Sequence, residues 1–146
     1  MNTKDQVFFV GQKAFIRNSQ NQLLVLLDPV SGLDLPGGKV QSDEEDLKAS
    51  LQREVREETG LEINVGDAFY TWRFHYPIDK IEGAVRDSLT DGNIYRVGFE
   101  CTLKDGNVAL SVEHTKFKWI SEAELQGLKS WGGDYEAVEF YFSKYK

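Results

Sequence analysis

Three glutamates and one arginine are crowded at the end of a predicted helix. Glu54 is three residues before Glu57 and four before Glu58, and Arg53 comes directly before them. Residues at these spacings share a helix face, where each like-charged pair costs about 0.2–0.5 kcal/mol even when exposed. A solvated, salt-bridged helix face is one interpretation. The other is a site for Mg²⁺ or Mn²⁺, because these cations prefer carboxylate oxygens.

The helix that carries these side chains has recognisable ends. Ser42 and Glu45 have the spacing of a capping box, which predicts that Ser42 is the N-cap. Asp43, Glu44 and Glu45 would then lie in the first turn, at the positive end of the helix dipole. Gly60 suits the left-handed residue that follows a last helical turn.

The apolar face of this helix changes character along its length. Leu47 and Leu51 begin an inward-facing seam, and the next two positions on that seam are Glu54 and Glu58. A carboxylate turned toward the core costs free energy unless it is paired or bound to a metal. A solvated face does not explain why glutamate continues the leucine track, so the seam favours the metal site.

The stretch from Gly38 to Leu61 resembles the signature box of the Nudix hydrolases. That pattern is Gly, five residues, Glu, seven residues, then Arg-Glu-aliphatic-x-Glu-Glu-x-Gly-aliphatic. Residues 53–61 (REVREETGL) match every fixed position of its second half. Seven residues separate Glu45 from Arg53, as the pattern requires, but six residues separate Gly38 from Glu45. We interpret this as a one-residue insertion before Glu45.

The resemblance implies a role for each residue of the box. The implied metal ligands are three carboxylates and one backbone carbonyl, those of Glu54, Glu57, Glu58 and Gly37. Arg53 would orient Glu57 and pair with Glu45. One carboxylate must also take a proton from the attacking water, either a glutamate of the box or an acid from a later loop. Glu113 is the best later candidate, although loop acids are usually only solvated.

The implied activity is hydrolysis of a phosphorus acid anhydride, as in a Nudix-type pyrophosphohydrolase. We expect a Mg²⁺-dependent (or Mn²⁺-dependent) enzyme that cleaves the diphosphate linkage of a nucleoside diphosphate derivative, NDP-X, to NMP and P-X. The alternative is a Nudix-fold binding module that senses a nucleotide without turnover. The complete acidic set argues against this alternative, because a sensor does not need it.

Composition restricts the partners. The formal net charge is −7 and the pI about 4.9, so the chain is poorly suited to long nucleic acids, which need a basic stripe. We expect a small phosphorylated nucleotide as substrate and a monomer or homodimer. The lone Cys101 rules out an internal disulfide and is interpreted as a small buried hydrophobe. No membrane-spanning run or signal peptide is recognisable, which favours a cytoplasmic protein.

The fold class predicted is α/β, with one Nudix domain over residues 1–146. By resemblance it is an α/β/α sandwich, a mixed β-sheet with the Nudix-box helix and a C-terminal helix. Extended segments are predicted at 7–17, 23–27, 33–35, 61–65, 68–76, 94–103, 108–112 and 117–120. Ser121 is expected to cap a short helix. Asp134 is expected to open the final helix, whose apolar stripe would be Tyr135, Val138, Phe142 and Tyr145.

Two features have more than one interpretation. Trp72 lies on the aromatic face of an alternating strand, which is more typical of core than of substrate stacking. Arg73 and His75, on the polar face, could meet a phosphate. The long connection 77–92 is either a lid on the substrate side or a plain insertion.

Overall fold

The architecture is a mixed β-sheet with a helix packed on each face. The computed structural model describes residues 4–29, 31–75, 92–109, 116–128 and 133–145. Within them the elements are β1 (Phe9–Arg17), β2 (Leu23–Asp28), β3 (Gly32–Asp34), β4 (Gly37–Lys39), α1 (Leu47–Thr59), β5 (Glu62–His75), β6 (Asn93–Asp105), β7 (Lys116–Ile120), α2 (Glu122–Leu125) and α3 (Asp134–Lys144).

Strand β1 lies at the centre of the sheet. The main strand order is β3-β2-β1-β6-β5, with β4 paired to β1 and β7 paired to β2. β1 runs parallel to β6 along its whole length, whereas every other pairing is antiparallel. The predicted mixed sheet is therefore confirmed. The β1–β4 pairing also places Gly37 and Gly38 beside residues 11–13 of the central strand.

The two faces of β1 supply two separate hydrophobic cores. Phe15 packs on the side of α3 with Trp72 and Val138. Ala14 and Ile16 pack on the opposite side with α1 residues. This division follows from the alternation of side chains along a strand. It confirms the α/β/α sandwich.

Two predictions about the strands after α1 need correction. Residues 62–65 and 68–75 of these two segments belong to one continuous strand, β5, whose register with β6 shifts between Val65 and Tyr70. The predicted return strand 108–112 is wrong over its described part. Ala109 lies outside any strand, and its backbone N–H donates to Thr59 O at 2.7 Å. This contact turns the chain back to the end of α1; residues 110–112 lie outside the described part of the chain.

The C-terminal helix begins at Asp134 as predicted, but its apolar stripe differs at one position. Val138 and Phe142 are buried, whereas Tyr145 is 40% exposed and Tyr141 is buried in its place. Tyr145 lies at the C-cap, where its hydroxyl donates to Glu100 Oε1 at 2.5 Å. The short helix α2 follows Ser121 with the expected capping box.

A buried ion pair joins α3 to the sheet. Arg96 Nη1 donates to both carboxylate oxygens of Asp134, at 2.6 and 2.7 Å. Trp72 Nε1 donates to the same carboxylate at 2.9 Å, and Trp72 is only 7% exposed. The interpretation of Trp72 as core is confirmed. Arg73 and His75 are exposed, and Arg73 donates to Asn93 Oδ1.

Two expectations about the rest of the chain can also be compared with the structure. Cys101 is buried, and burial raises the pKa of its thiol to about 12, so the thiol stays protonated. This agrees with its interpretation as a buried hydrophobe. Across the described residues, no helix is long and apolar enough to span a bilayer.

The Asp134 pair generates a stability prediction. Asp134→Ala leaves the buried Arg96 guanidinium without its carboxylate, so we expect a loss of about 3–5 kcal/mol in the free energy of unfolding. Glu136→Ala is the matched control, since Glu136 is exposed in the same helical turn, and should change stability by less than about 0.5 kcal/mol. Urea unfolding measures the free energy of unfolding of both variants. Equal losses would contradict the stabilising role of the Arg96–Asp134 ion pair.

Candidate active site

The helix that carries the glutamates begins later than predicted. α1 starts at Leu47, and its N-cap is Asp46, whose carboxylate accepts from Ala49 N at 3.1 Å. The capping-box prediction for Ser42 is wrong: Ser42 lies in an exposed turn ahead of the helix. Residues 43–45 therefore belong to the preceding loop, and no acid lies in the first helical turn. The predicted end is confirmed, since Gly60 has a left-handed φ of 74°.

The inward seam of α1 changes from leucine to glutamate as predicted, except at its first position. Leu51 is fully buried, Glu54 is only 9% exposed, and Glu58 is half-buried. Leu47 is 39% exposed, because it is the first residue of the helix rather than part of its second turn. A carboxylate thus occupies a core-facing position in the middle of the helix.

Glu44, and not Glu45, is the loop carboxylate that meets the helix. Arg53 Nη2 donates to Glu44 Oε1 at 2.8 Å, and the Ser50 hydroxyl hydrogen-bonds to the other oxygen of Glu44. Glu45 is exposed. Five residues separate Gly38 from Glu44, so the first spacing of the signature is regular. The extra residue follows Glu44, and the predicted Arg53–Glu45 pair is wrong.

Arg53 links this loop to the end of the helix. Its Nη1 donates to both carboxylate oxygens of Glu57, at 3.1 and 3.0 Å, while Nη2 holds Glu44. The hydrogen bond and charge of Glu57 raise the pKa of the Arg53 guanidinium. The expected contact between Arg53 and Glu57 is present, and one guanidinium serves two carboxylates.

The carboxylate of Glu54 is enclosed on several sides. Ser50 Oγ lies 3.4 Å from Glu54 Oε1. On the other side is the backbone of β4, since a Cβ added at Gly38 would be 2.1 Å from Glu54 Oε2. Burial, followed by the charge of Glu44, raises the pKa of Glu54, whereas Arg53, Ser50 and Lys13 act in the opposite direction. In this conformation Glu54 Oε2 fills the space of a Cβ at position 38, so a side chain there would force the carboxylate to move.

Gly37 is fixed just as tightly on the central strand. It lies in β4 and pairs with Lys13 of β1. Its φ is 146°, and an added Cβ would be 1.9 Å from Gln12 O. The backbone at 37–38 therefore lies between β1 and the Glu54 carboxylate. A side chain at position 37 would collide with the β1 backbone, and one at position 38 would displace the carboxylate.

The residue types at this end of the helix suit a hard divalent cation, but their side chains are not grouped around one point in this conformation. Glu54, Glu57 and Glu58 offer carboxylate oxygens within one and a half helical turns, and the backbone of β4 approaches Glu54 closely. In this conformation Glu57 is bound to Arg53. Over the described ranges, no three His, Cys, Asp or Glu side chains are grouped closely enough to hold a metal ion.

Some of the predicted residues cannot be placed, and others were missed. Glu113 and the connection 77–91 lie outside the described residues. The sequence interpretation missed Glu44 and Ser50, although the five-residue spacing from Gly38 was a signal for Glu44. It also missed the buried Lys13, whose signal was a lysine within a predicted strand.

Comparisons with known proteins agree with this site and fold. A family model described as NUDIX domain matches residues 8–141. A search of curated protein sequences gave no match. The solved structure of a MutT protein from Methanosarcina mazei Go1 is 26% identical, with a TM-score of 0.74 and 98% of each chain covered.

Two further structures share the fold at lower identity. An ADP-ribose pyrophosphatase from Streptococcus suis is 17% identical, with a TM-score of 0.65 and 96% of this chain and 93% of that chain covered. The E. coli dihydroneopterin triphosphate pyrophosphohydrolase is 17% identical, with a TM-score of 0.69 and coverages of 95% and 99%.

The family match spans most of the chain and includes the helix, loop and strand that build the site. The protein belongs to the Nudix family. It is a Nudix-type pyrophosphohydrolase, an enzyme that hydrolyses acid anhydrides of phosphorus.

The corrected position of the loop carboxylate can be tested with two neighbouring substitutions. Glu44→Gln removes the charge that anchors Arg53, and loss of such a supporting contact typically costs about 10–100-fold in activity. Glu45→Gln makes the same chemical change one residue later on an exposed side chain, and should leave kcat/KM within about twofold. Steady-state kinetics on the preferred diphosphate substrate compares the two variants. A larger loss of kcat/KM in Glu45→Gln than in Glu44→Gln would show that Glu45 is the loop carboxylate of the signature.

Proposed function

We propose that the protein is a Mg²⁺-dependent (or Mn²⁺-dependent) hydrolase of nucleoside diphosphate derivatives, converting NDP-X to NMP and P-X. The observation that carries this proposal is the buried carboxylate of Glu54. It lies against the β4 backbone, with Glu57 and Glu58 following on the same helix. Burying a carboxylate costs free energy unless it is paired or coordinates a metal, and a cation bound here would offset that cost.

The cation would be held by one backbone carbonyl and three carboxylates, those of Gly37, Glu54, Glu57 and Glu58. When bound, it would neutralise phosphate charge and lower the pKa of a water molecule. Arg53 is the positioning residue, because it holds Glu57 and Glu44 simultaneously. The close contacts of Gly37 with Gln12 and of Gly38 with Glu54 would hold the backbone of both glycines in a fixed position relative to the cation.

The hydrolysis requires a base among the chain's own residues. Water attacks one phosphorus, the P–O–P bridge breaks, and the displaced phosphate oxygen leaves with P-X or NMP. The proton of the attacking water passes to a carboxylate of the site or to Glu113. Glu58, half-buried at the end of α1, is one such carboxylate.

Small substrates suit the charge of the protein. At a net charge of −7, long polyanions are repelled unless a basic stripe compensates. The related folds named above act on ADP-ribose and on dihydroneopterin triphosphate, both small phosphate esters with a phosphorus anhydride. These similarities support a substrate of this size.

The experiment that tests the proposal is a hydrolysis panel with and without Mg²⁺. It should contain NDP-sugars, dinucleotides, nucleoside triphosphates and 5′-triphosphate RNA, with phosphate-containing products separated by ion-exchange chromatography. We expect NMP and P-X from an NDP-X compound only when Mg²⁺ or Mn²⁺ is present. Tight binding without turnover would favour the sensing module, and RNA hydrolysis that rivals the best small substrate would refute the expected size.

Substitution of the helix-end glutamates should abolish most of the activity. Glu57→Gln or Glu58→Gln keeps the side-chain shape but removes a charged ligand, so we expect turnover to fall by at least about 100-fold. Glu139→Gln, an exposed position on α3, is the control and should keep parental turnover. Circular dichroism checks the fold. Retained turnover in either variant at saturating Mg²⁺ would remove that residue from the site.

The same glutamates should stabilise the protein only through the cation. At a hundred times its dissociation constant, Mg²⁺ should add about 2.7 kcal/mol to the free energy of unfolding. Glu58→Leu extends the apolar seam, so the variant in EDTA should melt at the parental temperature or above. It should also lose most of the Mg²⁺ response and the activity. Thermal melts with EDTA and with Mg²⁺ measure this; a full Mg²⁺ shift in the variant would exclude Glu58 as a ligand.

A further inference from the structure

A buried lysine lies on the strand next to Gly37 and Gly38 of the candidate site. Lys13, in the middle of β1, is only 7% exposed. Its Nζ donates to Asp34 Oδ1 at 3.2 Å and to the backbone carbonyl of Leu35 at 3.1 Å. The neighbours of Lys13 on the same strand face are Gly11 and the core residue Phe15, so an apolar side chain would be the ordinary choice at this position.

Lys13 holds the segment before the glycines from two directions. Its backbone pairs with Gly37, and the next residue of β1, Ala14, donates its N–H to Pro36 O at 2.8 Å. Its ammonium group meanwhile binds the two residues before Pro36. Every residue from Asp34 to Gly37 is therefore tied to β1 at Lys13 or Ala14. This is the segment that leads into the backbone packed against Glu54.

A gain in folding stability does not explain why a lysine is buried at position 13. Burying an ammonium group is costly unless its partners compensate, and well-packed apolar replacements of buried ion pairs are often neutral or stabilising. Attraction for the cation does not explain the buried lysine either, because a positive charge near a cation site weakens cation binding. A lysine at this position is explained if the geometry of the segment 34–37 matters more than either effect.

We propose that Lys13 is a positioning residue that fixes the segment 34–37, and through it the Gly37 carbonyl and the backbone beside Glu54, for binding of the divalent cation. This inference rests on the proposed function, since it concerns the same cation site. Lys13 touches neither the cation nor the substrate in this assignment. It acts through its bonds to Asp34 and Leu35.

The decisive measurement is the affinity for Mn²⁺ and Mg²⁺ without substrate, by electron paramagnetic resonance and calorimetry. Lys13→Met keeps the length of the side chain and removes its donors. We expect a 10–100-fold loss of cation affinity, the usual effect of removing a group that supports a ligand. The sign is diagnostic, because loss of a positive charge alone would tighten cation binding. Lys48→Met, the same charge change on an exposed α1 side chain, should leave the affinity unchanged or slightly increased.

A second variant covers the case in which Lys13→Met does not fold. Asp34→Ala removes the carboxylate partner of Lys13 at a position that is partly solvent-exposed, and should weaken cation binding in the same direction. Amide exchange of Gly37 and Gly38, followed by NMR in EDTA, should be faster in both variants than in the parent. A structural role alone would lower the melting temperature while leaving cation affinity unchanged.

The outcomes separate this inference from the proposed function. If the parent binds no divalent cation, both are wrong. If the parent binds and needs the cation but folded Lys13→Met binds it with parental affinity, only the positioning role is wrong. Unchanged cation affinity with a raised KM would assign Lys13 to substrate binding instead, and would also overturn the inference. If only Asp34→Ala can be measured, parental affinity in that variant overturns it.

Discussion

The contact between a buried carboxylate and a glycine backbone constrains the rest of the site. Glu54 lies on the core side of α1, and its Oε2 occupies the space that any side chain at Gly38 would need. A desolvated carboxylate is unfavourable without compensation, and burial accordingly raises its pKa. The carboxylate keeps this position while β4 stays beside α1. β4 is held there by its pairing with β1, the central strand of the sheet.

Three charged contacts each join two elements of the fold. Lys13 joins β1 to the segment before β4, Arg96 joins β6 to the start of α3, and Arg53 joins the loop after β4 to the end of α1. Apolar residues would serve the first two positions at least as well for stability alone. What the pairs add is a defined geometry, because hydrogen bonds are directional whereas hydrophobic burial is not.

The position of Glu44 shows how local patterns mislead when a helix boundary is wrong. Leaving seven residues between the glutamate and Arg53 selects Glu45, and the spacing of Ser42 and Glu45 suggests that the helix already includes them. In the fold the helix starts at Leu47, so the chain before it is a loop and helical counting no longer applies. Glu44, and not Glu45, meets the helix because Glu44 makes tertiary contacts with Arg53 and Ser50.

The sequence by itself determined the family, the mixed sheet between two helices, the inward position of Glu54 and the glycine that ends the helix. These depend on side-chain periodicity and on fixed spacings within one element, which a local pattern records. Only the tertiary structure decided that Lys13 binds the segment 34–37, that Trp72 and Arg96 share Asp134, and that Ala109 returns to Thr59. These contacts join residues 21 to 62 positions apart, and the register of the sheet, which no local spacing encodes, brings them together.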